Sequence, residues 1–304
     1  MKLKIQCHIV LLASICMSGL LAADEEEVSA DIPDMEIHLF SLVKEDQGYR
    51  IENGKNISSN KGYDNQPFFT PGNESILFSS DRGGEQTDIY EYFISSGETR
   101  QVTDTKSSEY TPKTSPDNQV ITYVRDGKGA NPDQTVWQMN RETGDRSAAL
   151  ISKEPVGYYH LNHDTGDVLF WSRYGYSIQY QNINKNVDRF VIGNAVPATP
   201  KQIPGTKLFS FVHRQMNEET WIKSFNPETH AITPVAPFYG INSDYAWAPN
   251  GDIFRAEGNV LYVWKDGQSE QWVEAQDLSE MFKGTIYRLA ISSDGKMIAL
   301  VENR

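Results

Sequence analysis

The sequence predicts an all-β fold, a six-bladed β-propeller whose last blade is closed by strands from both ends of the chain. Three observations predict it. A tight turn is written six times, as Thr70-Pro71-Gly72-Asn73, Ser115-Pro116-Asp117-Asn118, His163-Asp164-Thr165-Gly166, Ile203-Pro204-Gly205-Thr206, Ala248-Pro249-Asn250-Gly251 and Ser292-Ser293-Asp294-Gly295, at intervals of 41–47 residues. A short apolar or aromatic stretch precedes each turn and a β-branched or aromatic one follows it, as expected of strands on either side of a reversal. After the sixth turn one strand, Met297–Val301, remains before Arg304, and the pattern of its missing neighbours is found near the start.

In chain order, residues 1–23 read as a secretory signal. Lys2 and Lys4 precede the apolar run Ile9-Val10-Leu11-Leu12-Ala13, which continues to a small-residue cleavage site at Leu20-Leu21-Ala22-Ala23. Its apolar core is too short for a spanning helix, and no other stretch approaches one. Both cysteines, Cys7 and Cys16, lie inside it, so the mature chain is expected to have no disulfide and no cysteine chemistry. Ile15, ahead of Cys16, is too large for a lipid-attachment signal. Residues 24–34 are acidic and poor in apolar groups, an expected flexible leader. Residues 35–304 then form a single propeller domain. The formal charge is −13, and loss of Lys2 and Lys4 deepens it. Such a surface repels phosphate backbones, which sets aside nucleic acid as a partner.

The clearest repeat covers residues 62–107. Pro67-Phe68-Phe69 is its inner strand, Ile76–Ser79 the second, Ile89–Tyr92 the third and Arg100–Thr103 the outer one, with Ser96-Gly97 as a hairpin turn. The same order recurs over 108–154 with Val120–Tyr123 and Val136–Met139, and over 155–196 with Val168–Trp171 and Ser177–Tyr180. It recurs again over 197–240 with Leu208–Phe211 and Thr220–Lys223, and over 241–282 with Asp252–Phe254 and Leu261–Trp264. The tail of the fifth repeat, Asp277–Lys283, reads as a short helix. Glu36–Leu42 has the pattern of the third strand Asp88–Tyr92, and Tyr49–Ile51 suits an outer strand, so blade six takes two strands from each end. A ring closed in this way leaves no long free edge, which favours a monomer.

The residues from Pro67 to Pro71, Ser75-Ile76-Leu77-Phe78-Ser79-Ser80-Asp81-Arg82, Asp88-Ile89-Tyr90 and Thr99-Arg100-Gln101-Val102-Thr103 resemble the WD40-like repeats of the TolB propeller family. There a P-x-W-S-P-D-G turn is followed by an apolar strand, an S-x-R-x-G loop, I-Y and R-Q-L-T. The resemblance runs from Asp34 to Arg304 and is strongest in the first two repeats. It implies a propeller that scaffolds proteins of the cell envelope from the periplasm, and it leaves a channel calcium open. The N-terminal α/β domain of the founding protein has no counterpart here, so a role in the Tol machinery is not implied.

Chemistry is sparse. No G-x-S-x-G occurs, and Gly175-Tyr176-Ser177-Ile178-Gln179 lacks the closing glycine, which sets aside a serine hydrolase. His160 and His163 are three apart, hence on opposite faces of a strand, and would not share a metal. The Asp- and Asn-rich turns lack EF-hand spacing, and their backbone angles explain their composition. What remains is the channel mouth, where residues ahead of each turn ring the axis. They include Asp64, Gln66, Glu109, Tyr110, Tyr158, His160, Asp244, Tyr287 and Arg288, the candidate ligand-binding residues. Tyr110 and Tyr287 suit ligand contact and inter-sheet packing equally. Tyr159, Tyr245 and the strand residues Trp137, Trp171, Trp221 and Trp264 are expected to pack.

Two functions fit these observations. One is an exported, non-enzymatic module that grips a protein segment or small ligand at the channel mouth and requires no cofactor. The other is a metal-dependent hydrolase, lactonase or lyase, with a channel cation drawn from Asp64, Glu109, Asp244 and His160.

Overall fold

The computed structural model describes residues 34–304, apart from 47, 83, 85, 128–133, 186, 241–243, 266, 268 and 269. The signal and most of the acidic leader read from the sequence lie outside the described residues. Six four-stranded antiparallel sheets radiate from one axis. Blade 1 runs Asp64–Phe69, Ser75–Ser80, Asp88–Phe93 and Thr99–Gln101 from axis to rim. Blades 2 to 5 repeat this order, with inner strands Ser108–Thr114, Val156–Asn162, Lys201–Gln202 and Ala246–Trp247.

Blade 6 is the closing device. Its inner strands, Thr285–Ile291 and Met297–Asn303, come from one end of the chain, and its outer strands, Met35–Lys44 and Tyr49–Asn56, from the other. In the joining ladder Ile37 lies opposite Val301, Leu39 opposite Ala299 and Ser41 opposite Met297. The expected closure is therefore present. A charged clasp secures it. Arg304 donates to Glu302 at 2.9 Å and to Glu36 at 3.3 Å, while Glu302 also accepts the amides of Lys283 and Gly284 at 2.6 and 2.7 Å. Gly284 cannot be larger, because a Cβ there would lie 1.9 Å from the Asn303 carbonyl oxygen.

Each junction between neighbouring blades holds its own apolar core. Leu77 and Ile89 of blade 1 meet Ile121 and Tyr123 of blade 2. Phe209 and Phe211 of blade 4 meet Leu169 and Trp171 of blade 3, and Ile37 and Val301 of blade 6 meet Ile76 and Phe78 of blade 1. Such side chains contribute about 1.5–3 kcal/mol each when fully buried. Tyr159 and Tyr245 are buried and donate to or share hydrogen bonds with Thr122 and Ser210, so both pack between sheets as the sequence implied. One expectation is corrected. The tail of blade 5 is a strand, Val273–Asp277, followed by a single turn in which the Met281 amide donates to the Leu278 carbonyl at 2.8 Å, not a helix. Burial of Leu278 and Phe282 between blades 5 and 6 fixes that turn.

Candidate functional site: the axial chamber

Side chains on a strand alternate between its two sides, so each inner strand directs every second residue toward the axis. Counting back five residues from the turn positions Pro71, Pro116, His163, Pro204, Pro249 and Ser293 gives Gln66, Thr111, Tyr158, Thr199, Asp244 and Arg288. Counting back three gives Phe68, Lys113, His160, Lys201, Ala246 and Ala290. All but Tyr158 line one axial cavity of about 210 Å³. The six blades thus contribute two stacked rings.

Arg288 dominates the first ring. Its Nε–H donates to Asn65 Oδ1 of blade 1 at 3.0 Å, and its Nη1 to Thr199 Oγ1 of blade 4 at 3.2 Å. Nη2 reaches the Tyr158 hydroxyl of blade 3 at 3.5 Å, and Nη1 lies 3.9 Å from Asp244 Oδ1 of blade 5. The guanidinium is buried, which works against its charge, but Asp244 together with Tyr158, Tyr63 and Tyr287 outweighs this and keeps it charged. Gln66 has a structural part: its Oε1 accepts from Ser79 Oγ at 2.9 Å and from the Thr111 amide at 2.7 Å, tying blade 1 to blade 2.

On one side of Arg288 lies an aromatic mouth. The guanidinium stacks 5.1 Å from the Tyr158 ring and 5.7 Å from that of Tyr287, and Tyr63 meets Tyr110 edge-on at 6.2 Å. On the other side lies the second ring, whose basic side chains fall on three consecutive blades. Lys201 Nζ is 3.5 Å from Asp244 Oδ1. Lys113 Nζ sits 5.2 Å from the Phe68 ring centre and has no hydrogen bond or ion pair with any described residue. Burial first, then Lys201 and Arg288, lowers its ammonium to about 7 in spite of Asp244. Burial also lowers Lys201. His160 is held well below its ordinary value by burial and then by the two lysines, so its ring is neutral. A wider space of about 610 Å³ shares Phe68, Lys113, His160 and Gln202 with the chamber and reaches the turns at Pro71, Pro116 and His163.

The structure thus brings Gln66, His160, Asp244 and Arg288 to the chamber and Tyr110, Tyr158 and Tyr287 to its aromatic mouth. It does not bring Asp64 or Glu109 there. Bulges shift the inner strands between Asn65 and Phe68 and between Tyr110 and Lys113, with Gln66 at φ 60° and Thr111 at φ 53°. Each bulge ends in a proline, Pro67 or Pro112, that lacks the ladder N–H, and the extra residue reverses the alternation upstream. Asp64 consequently points into blade 1 toward Arg82 at 3.4 Å, and Glu109 accepts from Thr105 at 2.9 Å. Among the described residues no three His, Cys, Asp or Glu side chains gather as a metal would need.

Burial lifts the Asp64 carboxyl to about 6, against the pull of Ser80 and Arg82. A raised acid contributes stability that is full below its unfolded value and is lost as pH rises through 6. Asp64→Asn is therefore expected to gain on the native protein between pH 4 and 6, by about 2 kcal/mol at most. Urea melts at pH 4.5 and 7 measure this, and a difference independent of pH would contradict it.

Six four-stranded blades around an axial chamber define a six-bladed β-propeller. Among solved structures, the chain is similar to TolB from Acinetobacter baumannii, with 15% identity and a TM-score of 0.58 over 88% of this chain. It is also similar to a protein assigned as TolB from Agrobacterium tumefaciens, with 12% identity and a TM-score of 0.68, covering 90% of this chain and 99% of that one. A third is an oligogalacturonate lyase from Vibrio parahaemolyticus, with 12% identity and a TM-score of 0.52, covering 89% and 98%. This chain spans 64% of the length of the Acinetobacter protein. No family model and no curated relative matches the sequence. At these identities the likeness is one of fold.

Proposed function

We propose that this chain is an exported, non-enzymatic TolB-like scaffold that binds a protein segment or small ligand in its axial channel. The observation that carries the reading is the pair of stacked rings: an axis filled by Arg288 and its partners, with an aromatic mouth on one side and a partly open chamber on the other. A merely structural axis would be packed with apolar side chains, whereas this one keeps buried cations beside a cavity. The signal read in residues 1–23 supports export to the periplasm or beyond, and among the described residues no helix is long and apolar enough to cross a membrane. Closure of blade 6 favours a monomer, and the acidic surface disfavours nucleic acid.

The competing reading, a hydrolase, lactonase or lyase with a channel calcium or other cation, has one carboxylate in the chamber, Asp244, against Lys113, Lys201 and Arg288. That charge balance repels a divalent ion. The experiment is cross-linking from a photoreactive residue at Phe190, on the rim, and at Tyr110, at the mouth, in the native cell. A partner is expected to be captured from Tyr110 only, and its capture is expected to fall at least fivefold in a Tyr287→Ala background. Stoichiometric metal in the purified protein, removed by chelator together with a hydrolytic activity, would overturn the scaffold reading.

A further inference from the structure

We propose that the chamber is a binding site for a carboxylate carried on an apolar stem, with the carboxylate between Lys113 and Lys201 and the stem against Phe68, Ala246 and Ala290. This deepens the scaffold reading and rests on it. The second ring is divided in two. Blades 2, 3 and 4 present Lys113, His160 and Lys201 on one half of the circumference, and blades 5, 6 and 1 present Ala246, Ala290 and Phe68 on the other. A ligand filling this ring meets positive charge on one flank and apolar surface on the opposite flank.

The charges do not cancel internally. Asp244 lies between Lys201 at 3.5 Å and Arg288 at 3.9 Å, and its other oxygen accepts the Leu289 amide at 3.0 Å. Lys113 Nζ lies over the face of Phe68, and among the described residues it has no ion pair of its own. In a chain of formal charge −13, a buried cluster of three cations around one carboxylate is opposite in sign to the rest of the molecule. Lys201 depresses the ammonium of Lys113, and Arg288 depresses both, so an anion arriving between the two lysines stabilises their charged forms. A cavity of about 210 Å³ has the liquid volume of about seven waters, enough for a small branched or aromatic acid. Access is through the wider space toward the turns, which shares Lys113 and His160 with the chamber.

The lowered Lys113 supplies a signature that simple packing lacks. The groups facing it are Lys201 on blade 4, Asp244 on blade 5, Arg288 on blade 6 and neutral His160 on blade 3, while blade 1 offers only Phe68. Its free ammonium titrates near 7, and a bound carboxylate raises that value. The carboxylate therefore binds best below pH 7, weakens by up to tenfold per unit above it, and draws close to one proton from the buffer at pH 8.

The test is calorimetric titration of the full chain with 3-phenylpropionate and with its uncharged amide, at pH 6, 7, 8 and 9 and in buffers of differing ionisation enthalpy. The acid is expected to bind at least tenfold more tightly than the amide, with the stated pH slope and proton uptake. Lys113→Met is expected to lose at least tenfold in affinity and to flatten the slope. Lys113→Arg, permanently charged, is expected to retain binding and also flatten the slope, which separates recognition from misfolding. A peptide ending in a free C-terminal phenylalanine, against its C-terminal amide, distinguishes the two sources of the same chemistry. Tighter binding of the peptide points to a partner's chain terminus and tighter binding of the free acid to a small metabolite. Equal binding of acid and amide, no binding of either up to 50 mM (on the order of the weakest affinity a built site would show), or calcium taking the place of the acid would overturn the proposal. Cross-linking from Tyr110 that persists alongside such a result would leave the scaffold reading standing and remove only the carboxylate site.

Discussion

Arg288→Ala is expected to lower the stability of the whole propeller by about 3 kcal/mol, because it removes a buried charge and several of its hydrogen bonds at once. The guanidinium touches Asn65, Tyr158, Thr199 and Asp244, residues of four different blades, so its loss leaves buried polar atoms unanswered around the axis. For a domain of this size the loss corresponds to a fall in Tm of roughly 6–12 °C. Arg288→Lys keeps the charge near Asp244 but not the planar fork, and is expected to recover less than half of the loss. Circular-dichroism melts of the three proteins at pH 7 check both statements. An unchanged Tm in Arg288→Ala would mean that the axial network adds nothing to the ring. The same substitution is expected to join the aromatic mouth to the chamber, a change that increased solvent exchange at the Leu289 amide, now bonded to Asp244, would report.

The architecture was legible because turn chemistry is local. Proline, glycine and asparagine at six evenly spaced reversals dictate backbone angles whatever surrounds them, and the apolar stretches between them alternate as sheets require. Closure was legible for the same reason: Glu36–Leu42 carries the pattern of a third strand whose neighbours are otherwise missing. The helix expected at Asp277–Lys283 fails because burial of Leu278 and Phe282 between blades, not helical periodicity, sets that segment. The site was legible in part. Reading back from the turns found Arg288, Asp244 and His160, but not Lys113 and Lys201, which lie three residues before their turns, in the same place as His160. Strict alternation carries the axial phase on to them, and that signal was present. The placement of Asp64 and Glu109 was not: each is separated from the axis by a bulge, and a bulge is set by ladder geometry that Gln66-Pro67 and Thr111-Pro112 only hint at.

Ile37→Asp is expected to open the ring at its seam, with a loss of about 4 kcal/mol or more. Ile37 is fully buried, faces Val301 across the ladder that joins the two ends of the chain, and packs in the core shared by blades 6 and 1 with Ile76 and Phe78. An unpaired carboxylate there loses its hydration without a partner, since Glu302, Glu36 and Arg304 are already engaged with one another at the rim of the same seam. Every other blade is held by hairpins that cost little loop-closure entropy, but blade 6 must bring together strands separated by almost the whole chain, so its seam is where a propeller frays first. The measured consequence is a Tm lower by roughly 8–16 °C, with a first unfolding phase in which amide protection is lost from Ile37–Leu42 and Ile298–Val301 before the inner strands of blades 2 to 4. Locking the seam tests the geometry independently. Ser41→Cys with Met297→Cys places two thiols on directly opposed residues, and after Cys7 and Cys16 are replaced by serine their oxidation is expected to link the two ends and restore most of the stability lost in Ile37→Asp. Failure of the pair to form under oxidising conditions would show that the two ends do not share a sheet, and both the ring and the chamber it encloses would fall with it.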